Sequence, residues 1–150
     1  MIIKQLLILL IMTLPIQAWS AYDLEKIKNG ISSNKTDFKV TGWEKSNKHG
    51  WLAKTQLKRS TISVSEKRSQ LIVPYINNTQ KKSGKILCEK FATTAMDPLN
   101  DDELKSIKSA IRKATTRHKT KFLNLNNMKF LVTPKLIGAV VSLHCSVKPL

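Results

Sequence analysis

From Asp37 onward the hydrophobic pattern settles into a period of two, with one interruption, and that alternation limits the fold most severely. The segments DFKVTGW, WLAKTQL, STISVSE, QLIVPYI and KILCEKF read as strands, separated by SNKHG, KRS and the polar run NNTQKKSG, all of which carry turn chemistry. KFLNL, MKFLV and IGAVVSLHCSV continue the pattern near the C-terminus, with turns expected at Asn126-Asn127 and around Pro134-Lys135. Short strands in succession at hairpin spacing predict an antiparallel sheet of about six to eight short strands, not a βαβ arrangement. Pro74 has no amide hydrogen for a ladder, so QLIVPYI is expected at an edge or at a bulge. Ahead of the strands, DLEKIKN places Leu24 and Ile27 three apart before Asn29-Gly30, which predicts a short N-terminal helix. The fold class is therefore α+β.

The interruption is NDDELKSIKSAIRKATTRHKTK, Asn100 to Lys121. Asn100 followed three residues later by Glu103 fits a capping box, and Leu99 with Leu104 can form the accompanying hydrophobic staple. The acids lie at the positive end of the helix dipole, while Arg112, Lys113 and Arg117 gather toward the negative end. A helix over about 101–117 follows, with Leu104, Ile107, Ala110, Ile111 and Ala114 on the side that packs on the sheet. Lys105, Lys108 and Arg112 share an arc on the far side, flanked by Lys113 and Arg117. Dipole stabilisation does not explain Lys105 in the first turn; a local pair with Asp101, four residues earlier, is one explanation. A purely solvated face and an anion-binding face both remain open.

Residues 1–20 have the order of a secretory leader: Lys4, an apolar run from Leu6 to Leu14, Pro15, then Ala18-Trp19-Ser20. The run is shorter than the roughly 20 residues that cross a bilayer. Cleavage near Ala21 would leave a single domain over 21–150, secreted or periplasmic, with no stable membrane insertion. In such a compartment Cys88 and Cys145, the only cysteines, are expected to pair. Closing a loop of that length contributes about 2–4 kcal/mol. Alternation in AVVSLHCSV points Cys145 inward with Val141, Leu143 and Val147, and His144 outward with the serines.

Charge narrows the partners. The chain has 26 Lys and Arg against 10 Asp and Glu, and only Lys4 leaves with the leader. Such a surplus biases encounters toward an acidic protein or an anionic polymer, whether nucleic acid or an envelope component. A second candidate surface is WEKSNKHGW. Strict alternation from Phe38 puts Trp43 on the polar side of its strand, beside a loop carrying Lys45, Lys48 and His49, where a ring and ammonium groups suit a base or a sugar. Packing of Trp43 across the strands is the competing expectation, and alternation with Ala53 and Leu57 places Trp51 in the core.

Catalytic signatures are missing from the sequence. No Gly-rich phosphate loop, GxSxG elbow, HExxH zinc site or CxxC pair occurs, so no metal, cofactor or catalytic residue is assigned. His49, His118 and His144 would be enough for ribonuclease-like acid–base cleavage, but nothing local brings two of them together. The leading expectation is a small basic non-enzymatic binding protein, inhibitor-like or immunity-like, that docks on an acidic protein. Nucleic-acid or polymer binding is the alternative, and a basic hydrolase the third.

Overall fold

A computed structural model describes residues 22–33, 39–46, 50–57 and 59–150. Residues 1–20, expected to be a leader, and Lys48 and His49 lie outside them. Among the described residues seven strands form one antiparallel sheet in the order β1-β2-β3-β4-β7-β6-β5, accompanied by three helices. The helices are α1 (Leu24–Ser32), α2 (Asn78–Met96) and α3 (Asp101–Arg117); the strands are β1 (Val40–Ser46), β2 (Gly50–Thr55), β3 (Thr61–Ser65), β4 (Arg68–Tyr75), β5 (Lys121–Leu125), β6 (Met128–Ile137) and β7 (Val140–Pro149).

The helices all cover one face. Ile27 and Ile31 of α1, Phe91, Ala92 and Met96 of α2, and Ile107, Ile111 and Ala114 of α3 are buried with Ile62, Val64, Leu71, Val73, Phe130, Val132, Leu143 and Val147 of the sheet. Burial alternates along β3 and β4 as the period-two pattern requires. The opposite face carries Ser, Thr and Gln with Lys54, Arg68, Lys129 and Lys135, and no helix among the described residues covers it. Cys88, on the buried side of α2, is bonded to Cys145 on the helix-facing side of β7. Their Cα atoms are 5.9 Å apart across a sequence separation of 57.

Three local expectations need correction. NNTQKKSG and KILCEKF are not a turn and a strand but the body of α2, capped by Asn77, whose side chain accepts from the Gln80 amide. Gly84, Leu87, Cys88, Phe91, Ala92, Ala95 and Met96 recur at helical spacing, and all are buried. Gly84 lets the helix approach closely: a Cβ there would lie 2.9 Å from Val73 Cγ1.

The prolines give the second correction. β4 is not an edge strand but lies between β3 and β7. Pairing with β3 stops at Thr61–Ile72, however, so Pro74 faces β7 alone. Pro134 does the same on the other side: β5 pairing stops at Lys121–Val132, and β6 runs on with no turn at Pro134-Lys135. Each proline stands where one flank has no neighbour, so its missing N–H breaks no ladder. The β6–β7 turn comes later, at Gly138-Ala139, while the β5–β6 turn is at Asn126-Asn127, both with positive φ, as expected.

Third, Trp43 is on the helix-facing side. The β1–β2 register slips between Thr41 and Trp43, where Gly42 adopts φ 66°. The extra residue of this bulge returns Trp43 to the side of Val40 and opposite Ala53. Alternation counted straight through Gly42 puts the ring on the wrong face.

Candidate anion-binding surface

Helix α3 has the ends its sequence specifies. Asn100 Oδ1 accepts from the amides of Asp102 and Glu103, and the Asn100 amide donates to Glu103 Oε2 at 2.8 Å, completing the capping box. At the other end His118 turns left-handed (φ 51°) and its amide donates to the Ala114 carbonyl. His118 thus caps the helix, with an exposed ring. Ile107, Ala110, Ile111 and Ala114 are buried, and Leu104 is half-buried.

The exposed arc divides in two. Lys105 pairs with Asp102 at 3.0 Å, three residues back rather than with Asp101. Lys108 reaches Glu89 of α2 at 3.2 Å. Arg112, Lys113 and Arg117 are exposed, and no carboxylate among the described residues pairs with them. The unneutralised charge therefore lies in the C-terminal half of α3. Beside it a groove of about 300 Å³ between α3 and β5 is lined by Ser106, Ser109, Lys113, Lys121 and Leu123.

The other proposed surface does not join it. Trp43 is half-buried and its indole N–H donates to Ser32 Oγ at 2.8 Å. Trp51, expected in the core, is half-buried with the Lys28 ammonium 3.6 Å from its ring centroid. Lys45 is exposed on β1. β1 is one edge of the sheet, whereas α3 packs on β5 and β6 at the other. The α3 cations and the Trp43 strand are thus separate places on the molecule.

A third feature depends on topology and is invisible in sequence order. The strand registers put the 66–67 and 126–127 turns at one end of the sheet (the base) and the Gly138-Ala139 turn at the other (the tip). Of the nine described carboxylates, seven belong to the base. Glu66 is in the β3–β4 turn; Asp97, Asp101, Asp102 and Glu103 sit at the α2–α3 junction, which Asn126 ties to the β5–β6 turn through Pro98 O. Asp23 and Glu25 open α1, where Lys26 reaches Asp97 O and the neighbouring Tyr22 hydroxyl bonds Ser69 Oγ at the start of β4. Glu44 and Glu89 lie midway, so the tip has basic residues and, among the described residues, no acid.

His118 and His144, the histidines among the described residues, are not brought together. His144 stands on the uncovered sheet face, its Nδ1 3.3 Å from Gln70 Nε2 and its Nε2 2.9 Å from Ser142 Oγ. Burial, then Lys135 and Arg68, hold its pKa below the ordinary 6.5. His118 ends a helix on the opposite face. Burial pushes the Tyr22 phenol up to about 12, against the Ser69 hydrogen bond and Arg68. Among the described residues no three His, Cys, Asp or Glu side chains group as metal ligands. No family model matches the chain, and no curated protein or solved structure is significantly similar to it.

Proposed function

We propose that this is a non-enzymatic binding protein of the secreted or periplasmic space that docks on an acidic protein, as an inhibitor or immunity protein does. The observation that carries the reading is the set of cations in the second half of α3 that pair with no carboxylate among the described residues: Arg112, Lys113 and Arg117 beside the groove to β5. A rigid helix, capped at both ends and buried along one side, holds these groups at fixed spacing, which suits electrostatic matching to a carboxylate-rich surface. The Cys88–Cys145 bond supports an oxidising compartment. Among the described residues no helix is long and apolar enough to cross a membrane.

Capture of partners by the purified protein at low and high salt tests the reading. Charge reversal at Arg112, Lys113 and Arg117 should abolish capture of an acidic protein, while reversal at Lys105 and Lys108 should cost less because those groups already have partners. If nucleic acid is captured instead, with affinity falling log-linearly with salt, the acidic-protein reading is wrong.

A further inference from the structure

The tip of the molecule has a composition that docking through α3 does not use. β6 runs on over residues 133–137 past its last β5 partner, so this half of the strand is an open edge, while β7 beside it stays paired with β4 as far as Val141. Leu136 is 72% exposed and Ile137 59%, and Ile76, following the last residue of β4 at the same end, is 68% exposed. Leu136 and Ile137, consecutive on β6 and so on opposite faces of it, and Ile76 just past β4 together hold three aliphatic side chains out in water at this one end of the sheet. Around them lie the exposed cations Lys39, Arg59, Lys82, Lys119 and Lys135 and the half-exposed Lys81. Lys39 and Arg59 flank the ends of β1 and β2, Lys81 and Lys82 lie in the first turns of α2, and Lys119 follows α3.

We propose that the tip is a foot for an anionic lipid surface: Leu136, Ile137 and Ile76 dip into the headgroup–acyl boundary while the surrounding cations lie against lipid phosphates. The inference goes beyond docking on an acidic protein and does not require it. Charge distribution selects the occupant. A protein surface carries both signs and is matched by both, whereas a bilayer rich in acidic lipid is negative throughout and favours an end that has, among the described residues, cations and no carboxylate. The seven carboxylates at the base offset cations of their own end such as Lys26, Lys67, Arg68 and Lys148, so the net attraction is concentrated at the tip and turns it toward the membrane. Long Lys and Arg stems lie along the apolar boundary with their charged heads at the phosphates. Binding of this kind is peripheral and reversible.

The test is co-sedimentation of the purified protein with vesicles of mixed phosphatidylglycerol and phosphatidylcholine, against pure phosphatidylcholine, at physiological ionic strength. The protein should pellet with the mixed vesicles only. The Leu136→Ser/Ile137→Ser variant should lose about tenfold in partitioning with an unchanged melting temperature, since both side chains are already exposed. Lys119→Gln/Lys135→Gln should lose about as much, and the equally charged Lys67→Gln/Lys148→Gln, altered at the base, should lose little. The tryptophan of Ile137→Trp should shift to the blue and be quenched by lipids brominated on the acyl chain. Equal loss in both lysine variants with no loss in the serine variant would mean adsorption by net charge alone and overturn the proposal. Absence of vesicle binding would also overturn it. If the serine variant then failed to capture an acidic protein, the tip would belong to that interface.

Discussion

Trp43 donates its indole N–H to Ser32 Oγ across 2.8 Å, tying an edge strand of the sheet to the last residue of the first helix. That contact exists only because Gly42, at φ 66°, adds a residue to β1 and turns the ring inward. A Cβ at Gly42 would meet nothing within 4 Å, so the obstacle to substitution is the backbone conformation and not space. Gly42→Ala should therefore cost about 1 kcal/mol, measured by urea denaturation. The bulge also blunts the edge against pairing with another chain, so Gly42→Val, which disfavours it further, should move Trp43 emission to the red and promote self-association.

The disulfide fastens α2 to the middle of the sheet. Cys88 and Cys145 are both fully buried, and the loop they close contains the whole of α3, β5 and β6. Replacing both with Ala should lower stability by about 2–5 kcal/mol, read as a fall in the denaturation midpoint. Reductant should destabilise the wild-type protein similarly and leave the double variant unchanged. Equal stability of oxidised and reduced wild type would contradict this.

How much of this was legible depends on the range of each signal. The capping box and the 3.6-residue apolar stripe of α3 are complete within about a dozen residues, and the structure has the expected bounds, Asp101–Arg117. Strands β3 and β7 were equally readable, because one covered face imposes alternation. Helix α2 was misread because Lys81, Lys82, Ser83 and Gly84 resemble a turn and Ile86-Leu87-Cys88 a short strand; the repeat that identifies the helix needs Phe91, Ala92, Ala95 and Met96 as well. The places of Pro74 and Pro134 depend on where neighbouring strands end, which only pairing reveals. The basic tip, without an acid among the described residues, was the least accessible feature, since it gathers residues from six elements or their flanks.

His144 makes stability depend on pH. Its pKa is depressed in the folded protein, so below the ordinary value of 6.5 the unfolded chain takes up the proton more readily. Stability should fall as pH drops through 6.5 toward the folded value, and the contribution is fully regained above that window. His144→Gln should flatten this part of the profile, measured by melting temperature across the range, while leaving stability above neutrality within about 1 kcal/mol. A profile as steep in the variant as in the wild type would assign the dependence to other groups.

Gly84 sets two opposing effects against each other. Replacing a helix-interior glycine with alanine ordinarily gains about 0.5–1 kcal/mol from reduced freedom of the unfolded chain. Here the added methyl would lie 2.9 Å from Val73 Cγ1. Val73 cannot retreat easily: it is fully buried, branched at Cβ and held in the β4–β7 ladder opposite Leu143. Overpacking of such a site typically costs about 1–3 kcal/mol, so Gly84→Ala should be net destabilising. Shortening the obstacle reverses the sign of the effect at 84. In a Val73→Ala background Gly84→Ala should become neutral or stabilising, and the coupling between the two positions in a double-mutant cycle should exceed about 1 kcal/mol. Additive effects of the two substitutions would show that α2 does not rest on β4 at this point.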